Sequence, residues 1–569
     1  MRRNISGILG LVLLIGLGGC SKTFINQSNP EAVAVDAGYK TEADITAGVY
    51  SVYQALRSSN CVGEGASTWT DDRSDDINTT DNQSNNGEPF QFTAFALVAS
   101  NSYLKSHWTA LYTPIGRANM ILSLIDGISF ANADTKKQFI GEMKFVRAYM
   151  YFNLVREFGD VPLVTERITT LSQADQLTAR VKRDTVYAKI IADLKDALNS
   201  GLPNVQPAAT KGRVSMQAVN ALLGQVYLTM GANLDANKPD NLANAKAYLL
   251  AAYNLKTFAN LSDVAYADVF DVNKKSTNPE IIWQIPYKQG DLTYSSSLAK
   301  NNQPKGETLI STFLSQGSGN TLTNDLLKEY ETGDLRTNFS IHFGASINKY
   351  YISKFRDINP GTVVSNQGGY GGNDWILIRY ADIILNIAEV YDLLGDDATA
   401  ITYINMVRAR AQRPDYATMM ATDAGYASKY PTVKLAILHE RRVELAFEHH
   451  RWFDLIRFFN AQQARWTISI RRARPTTTTL RCRTFRPRIF ITRYPSSSTF
   501  SIRRRCTRIL GTSWPKALTQ SQSHDQKVVA FFYWSARAAP RGSPRPLAAP
   551  RGPSRLPAAP VAQLLNRAI

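Results

Sequence analysis

Carboxylates and imidazoles come first, since hydrolysis and metal binding both depend on them. Asp71, Asp72, Asp75 and Asp76 crowd into residues 71–76 of a polar segment. Glycoside hydrolysis needs two carboxylates, one to protonate the leaving oxygen and one to attack or to activate water. Adjacent acids in so Ser-, Thr- and Asn-rich a segment point more strongly to turn formation and solvation. His439-Glu440-Arg441-Arg442-Val443 begins like a zinc-protease helix, but Val443 stands where the second histidine belongs. The adjacent His449 and His450 cannot both share the face of His439. Asp76-x-Asn78-x-Thr80 opens like a calcium loop, yet Asp81 occupies the position of its obligatory glycine. No GxSxG, phosphate-binding loop or dinucleotide fingerprint is present. The expectation is a chain with no catalytic residues, no metal and no cofactor.

Binding asks for different groups. A pyranose offers an apolar CH face to an aromatic ring, and hydroxyls to planar amide, carboxylate or guanidinium groups. Trp69 lies in Ser67-Thr68-Trp69-Thr70-Asp71-Asp72, where neither a helical nor an alternating pattern explains a large aromatic, and Asp71, Asp72 and Arg73 follow within reach of sugar hydroxyls. Tyr294, Tyr370 and Trp375 are further candidates on other loops. The competing expectation for Trp69 is that it plugs its loop onto the scaffold.

The elements that must position these residues are helical. In Arg379 to Leu394, apolar residues recur at spacings of three and four, from Tyr380 through Ile384, Ile387 and Tyr391, while Glu389 and Asp392 lie off the stripe. Val214 to Met230 shows the same period, and Gly231 stands where that helix would stop. Arg147 to Phe158, Asp184 to Leu198 and Lys434 to Phe459 also read as helices. Leu223-Gly224-x-x-Tyr227-x-x-x-Gly231 and Ile387-Ala388-x-x-Tyr391-x-x-x-Gly395 share offsets that resemble tetratricopeptide hairpins, where a small residue admits the second helix and the aromatic fills the space. The first copy is followed by a polar insertion, so degenerate hairpins are expected rather than a regular solenoid. Long stretches such as Val62 to Pro89, Gln289 to Asn320 and Asn359 to Asp374 read as polar loops, with short strand-like runs at Ile281 to Ile285 and Tyr350 to Phe355.

The chain has 569 residues, 44% of them hydrophobic, enough for a large core. Its net charge of +18 is unevenly placed: residues 461–569 hold 21 basic residues and one acid, Asp525, leaving 44 basic and 46 acidic residues in the first 460. Arg2 and Arg3, the apolar run from Ile5 to Leu17, and Leu17-Gly18-Gly19-Cys20 read as an export signal ending in a sequence similar to a bacterial lipobox. Residues 1–19 are then a signal peptide and Cys20 the lipid attachment site, with residues 20–40 as a tether. The four cysteines form neither a CxxC nor a cluster, which excludes a disulfide scaffold and a thiolate zinc site.

Five separated segments resemble the SusD/RagB-like outer-membrane lipoproteins of the Bacteroidetes. They are Arg147 to Val155 with Phe158-Gly159-Asp160-Val161-Pro162-Leu163; Lys211-Gly212-Arg213 with Ala221 to Leu223; Asn278 to Trp283; Arg379 to Asp382; and Glu440 to Glu448 with Arg451-Trp452-Phe453-Asp454-Leu455. They occur in family order over residues 41–460. The resemblance implies a mainly α, SusD-like fold in which degenerate tetratricopeptide hairpins support long irregular loops and a few short strands. It also implies a cell-surface lipoprotein of the outer membrane that binds an oligosaccharide and hands it to a SusC-like TonB-dependent β-barrel transporter, with no nucleic-acid partner. The alternatives are a peptide ligand in the same uptake system and, third, a surface glycoside hydrolase. Arg147, Arg379, Arg441, Arg442 and Arg451, set among carboxylates, are expected to lock helices together rather than to bind ligand.

The resemblance stops at Asn460. Residues 461–569 carry 19 Arg against 2 Lys, a threonine run from Thr476 to Thr479 and repeats of Ala-Ala-Pro-Arg-Gly. This tail reads as a GC-rich message translated in a shifted frame, and is expected to be disordered.

Overall fold

Thr41 starts the scaffold. Its hydroxyl accepts from the Asp44 N–H while the Asp44 carboxylate accepts from the Thr41 N–H, a reciprocal cap that fixes the first turn of helix α1 (Glu42–Leu56). The computed structural model describes residues 38–77, 83–233, 238–291, 293–311, 321–358 and 371–459. The signal peptide, Cys20 and the Arg-rich tail lie outside the described residues. The other long helices are α2 (Ser102–Leu124), α3 (Ala133–Phe158), α4 (Arg183–Leu198), α5 (Met216–Asn233), α6 (Lys238–Asn254), α7 (Tyr380–Leu393), α8 (Asp397–Arg410) and α9 (Val433–Glu444). Among the described residues, no helix is long and apolar enough to cross a membrane.

Helix α3 is the central post. Met143, Phe145, Val146, Met150, Tyr151, Phe152 and Leu154 are all buried, so its second half is covered nearly all round by its neighbours. Strand β1 (Ile281–Ile285) pairs antiparallel with β4 (Trp375–Arg379), Ile285 opposite Trp375, and both strands are buried along their whole length. Between them in sequence comes the hairpin of β2 (Ile341–Gly344) and β3 (Lys349–Ile352). The long loops are stitched to one another by backbone hydrogen bonds, Ser296 with Gly371, Thr323 N–H to Asp76 O, and Asp357 N–H to Ile310 O. Among the described residues they form a layer joined by these main-chain hydrogen bonds.

The helical hairpins are present and their small residues do the expected work. A Cβ on Gly224 would meet the Leu249 side chain of α6, its Cδ2 at 2.7 Å. Tyr227 stacks on Tyr248 with planes 3° apart, and Tyr391 stacks on Tyr403 at 14°, so both copies place a tyrosine pair between their helices. Three boundaries differ from expectation. Gly231 does not end α5, which runs to Asn233; it stays small because a Cβ there would meet Leu242 Cδ2 at 2.7 Å. The polar insertion after Gly231 is mostly the first turns of α6, which buries Leu242 and Ala245. The helix expected over Lys434 to Phe459 breaks after Glu444 and resumes at residues 451–459. The break follows from side chains that take the carbonyls: Arg379 donates to Glu444 O at 2.9 Å, and Lys354 to Ala446 O at 2.9 Å. Phe447 and His449 then adopt positive φ of 67° and 64°.

Candidate functional site

Trp69 sits on a 3₁₀ turn, Ala66–Trp69, and is only 2% exposed. Its ring stacks on His107 at 4.1 Å and meets Phe92 edge-on at 6.0 Å, while His107 is held by Asn60 O and by Glu157 at 2.9 Å. Trp375 is buried as well, 4.2 Å from the His449 ring. The expectation of exposed platforms at Trp69 and Trp375 is therefore corrected: both rings are buried, Trp69 beside an internal cavity. Asp71 is also buried and accepts from the His449 N–H, and burial together with the charge of Asp76 raises its pKa well above the usual carboxylate range. Asp72 is half-buried beside it, and the Arg73 guanidinium lies 4.2 Å from the Trp452 ring, tying the turn to the last helical segment. Tyr370 falls outside the described residues. Tyr294 is 43% exposed.

The remaining carboxylates of the loop are engaged. Arg451 grips Asp75 with bonds of 2.7 and 2.9 Å, and Arg442 donates to Asp76 at 2.8 Å, all four residues buried. With arginines on both acids, residues 71–76 present no pair of accessible carboxylates for glycoside hydrolysis. Asp76, the first position of the calcium-loop reading, is thereby committed to Arg442, and residues 78–82 of that loop fall outside the described residues. The arginines named from the sequence do lock elements together. Arg147 joins α3 to α4 through two 2.8 Å bonds to Asp193. Arg379 reaches Glu280, Glu444 and Glu448 at 2.7–2.8 Å, and Arg441 holds Asp382 and Asp454 at 2.9 Å. Burial alone would raise the Glu448 carboxyl, but Arg379 and Lys354 outweigh it and bring it to about 2.

Glu331, His439 and Glu440 approach one another closely enough to suggest a metal site. The imidazole, however, is spent on both sides, Nδ1 on Glu329 at 2.9 Å and Nε2 on Glu331 at 3.1 Å, while Arg408 bonds both Glu331 and Glu440. The cluster is a set of ion pairs in which both imidazole nitrogens and both carboxylates are already engaged.

An internal cavity of about 80 Å³ opens between α3, α5 and residues 449–457. Arg156 lines it, wedged between the rings of Phe152 at 4.0 Å and Phe453 at 3.8 Å. Trp69, His107, His449 and Asp454 stand in the same lining.

The loop layer offers another surface. Arg57, which caps α1, lies 5.0 Å from the Tyr287 ring and 4.9 Å from the Tyr294 ring, and donates to Thr293 O at 3.0 Å. The guanidinium backs the Tyr294 ring and fixes it while much of the side chain stays in solvent. Glu64 nearby accepts from Ser296 and Ser297, which pins the strand of loop that follows Tyr294. The large aromatic side chains left exposed among the described residues are Tyr50 on α1 and, in the loop layer, Tyr294, Phe343 and Tyr350. The sequence reading missed Phe343, Tyr350 and the backing role of Arg57. Neither Ile341–Gly344 nor Lys349–Ile352 alternates in burial, so no local pattern marked the first two; nothing local points from Arg57 to a loop more than 230 positions away.

Comparison with known proteins gives matching sequence families and folds. A family model described as the SusD family matches residues 335–479, running past the point at which the sequence resemblance was read to stop. A second, described as starch-binding associating with outer membrane, matches residues 24–228. The chain is 25% identical over 477 residues to SusD-like protein P2 of Formosa agariphila, covering 79% of this chain and 89% of that one. It is 24% identical over 488 residues to a SusD-like protein of Bacteroides ovatus, covering 77% and 80%. Among solved structures it is similar to a laminarin binding SusD-like protein, with a TM-score of 0.63 at 25% identity, covering 77% of this chain and 95% of that one. The fold of surface glycan-binding protein A from Bacteroides thetaiotaomicron is also similar, with a TM-score of 0.60 at 18% identity over 75% and 93% of the two chains.

Proposed function

We propose, on the premise that this chain belongs to the SusD/RagB family, that it is a glycan-binding lipoprotein of the cell surface that captures oligosaccharides through its loop layer. The observation that carries this reading is Tyr294, 43% exposed on a loop and backed by Arg57. A ring held in place loses little freedom when a sugar stacks on it, and the stacking is worth about 1–2 kcal/mol by analogy with aromatic pairs. The laminarin-binding relative supports a β-glucan as the first ligand to try. In the same reading Cys20 is acylated and holds the domain at the outer membrane, and a SusC-like TonB-dependent barrel receives the glycan.

The test is affinity electrophoresis of the purified chain in gels containing laminarin. Retardation is expected, with Tyr294→Ala weakening it roughly tenfold and leaving Tm unchanged. Absence of retardation by laminarin and by a panel of other soluble glycans would overturn the reading, as would glycan hydrolysis by the purified chain; capture of peptides instead would move the ligand class. Cys20→Ala should shift the protein from the membrane to the soluble fraction, and unchanged partition would remove the anchor from the proposal.

A further inference from the structure

Arg156, near the end of α3, is a guanidinium set into the fold without a counter-ion. Among the described residues it donates to Phe152 O at 3.2 Å and to Asn153 Oδ1 at 2.7 Å, both in its own helix, and it pairs with no carboxylate. The rings of Phe152 and Phe453 flank it at 4.0 and 3.8 Å, and burial pulls its pKa below the ordinary arginine value. Arginine stays protonated in proteins even so, and a charge withdrawn from water calls for a negative partner.

The cavity that Arg156 lines collects other unused donors. Trp69 and Arg441 stand in its wall and are each 2% exposed. The indole Nε1 and the Arg441 Nε find no acceptor among the described residues. His449, in the same wall, leaves Nδ1 without a partner, and burial, pushing its pKa down to about 3, keeps that ring neutral. The carboxylates of the lining already have donors. Asp382 accepts from Arg441 at 2.9 Å, Asp454 from Arg457 at 2.8 Å and Glu448 from Arg379 at 2.7 Å. Glu157 acts on Arg156 only through space, its carboxylate being bonded to His107 at 2.9 Å. What is left unmatched in the wall is a set of N–H groups and one positive charge.

We propose that this cavity is a binding site for a small monovalent anion, a halide such as chloride, whose charge Arg156 balances and which accepts from Trp69 Nε1 and Arg441 Nε. Size and sign choose the ligand. The volume of about 80 Å³ exceeds the room that one water needs, and a halide is little larger than a water. A sulfate would bring a second negative charge toward the carboxylates of the wall. A metal cation would meet N–H groups where it needs lone pairs. Water satisfies the donors but leaves the Arg156 charge unpaired. The ion joins α3, α9 and the turn that carries Trp69, elements far apart in sequence.

The experiment uses the full chain, with bromide and chloride as probes. Crystals grown in sodium bromide are expected to show an anomalous peak beside Arg156 at the bromine edge. In thermal melts at fixed ionic strength, with sodium chloride exchanged for sodium glutamate, Tm should rise by about 1–2 °C for each tenfold of chloride above Kd. Arg156→Met, which keeps the volume but not the charge, should melt independently of chloride. Trp69→Phe, which keeps a packed ring but loses the N–H, should bind chloride several-fold more weakly. Absence of the peak, or a chloride response in either variant equal to that of the wild type, would overturn the proposal. A peak without any chloride response of the wild type in solution would mean an adventitious ion only, and would overturn it as well. If a variant does not fold, the wild-type peak and melts decide by themselves.

Discussion

Arg442 and Asp76 are joined by a 2.8 Å hydrogen bond from Nε to Oδ1 across 366 positions of sequence, and both are fully buried. The same guanidinium donates to Asp75 O at 2.9 Å and to Asp325 at 2.8 Å. The last long helix thus carries the counter-charge for a loop near the start of the described chain. Arg442→Ala should cost about 3–5 kcal/mol, because it strands buried carboxylates. Arg442→Lys, which keeps the charge but not the planar fork, should recover only part of it. Urea denaturation read by tryptophan fluorescence measures both.

Acid should unfold the domain through these pairs. Burial opposes ionisation of Glu331, Glu448 and Asp454, yet His439 and Arg408 at Glu331, Arg379 and Lys354 at Glu448, and Arg441 and Arg457 at Asp454 bring each to about 2. Their folded values lie below the unfolded ones. Their contribution is therefore complete above about pH 4.5 and is lost as pH falls toward 2. Asp392, raised to about 6 by burial and by Asp397, pulls the other way and offsets a small part. Tm measured from pH 7 to 2 should fall most steeply below pH 4.5; a flat profile there would contradict the ion-pair account.

His439 gives the opposite sign at the other end of the scale. Burial works against its protonation, but hydrogen bonds to Glu329 and Glu331 win and raise its pKa above 6.5. The stabilisation is fully present below pH 6.5 and is lost as pH rises through the folded value. His439→Gln should lower Tm at pH 6 and remove the decline that the wild type shows on the alkaline side.

Two glycines predict opposite responses to the same change. Gly224→Ala gains about 1 kcal/mol of helix propensity, but its Cβ would press on Leu249, whose Cδ2 and backbone N lie within 3.1 Å of it. Overpacking of about 1–3 kcal/mol should leave it less stable than the wild type. Gly116 in α2 has nothing within 4 Å of an added Cβ, so Gly116→Ala should stabilise by about 0.5–1 kcal/mol. Paired thermal melts decide it.

Trp69 and Tyr294 should separate stability from binding. Trp69→Ala removes a ring packed on His107 and Phe92 and should cost about 3–5 kcal/mol. Tyr294→Ala should leave the melt unchanged and act on glycan affinity. The reverse pattern would exchange their roles.

Much of the scaffold was legible because helices announce themselves locally. The offsets Leu223-Gly224-Tyr227 and Ile387-Ala388-Tyr391 predicted close helix approach with an aromatic between, and Tyr248 and Tyr403 complete both pairs. The break after Glu444 was not legible, since Arg379 and Lys354, which capture the carbonyls there, are 65 or more positions away. The candidate site was read least well. Trp69 lacks a periodic pattern because it packs in a 3₁₀ turn against residues from α2 and the loop before it, and lack of pattern is not exposure. Tyr294 differs in that Arg57 holds only part of its ring.

The bond between Arg442 and Asp76 also sets an order of events for folding. Residues 75 and 76 cannot be buried with their charges satisfied until Arg442 and Arg451 have left the ribosome. A loop of 366 residues must close before that contact repays its ordering entropy. The helical hairpins can form early from neighbouring sequence, but the loop layer waits for the far end of the chain. Truncation between Arg410 and Arg442, which keeps the hairpins, should therefore leave a helical but unlatched intermediate, and a chain held unfolded until its synthesis is complete loses nothing by the delay.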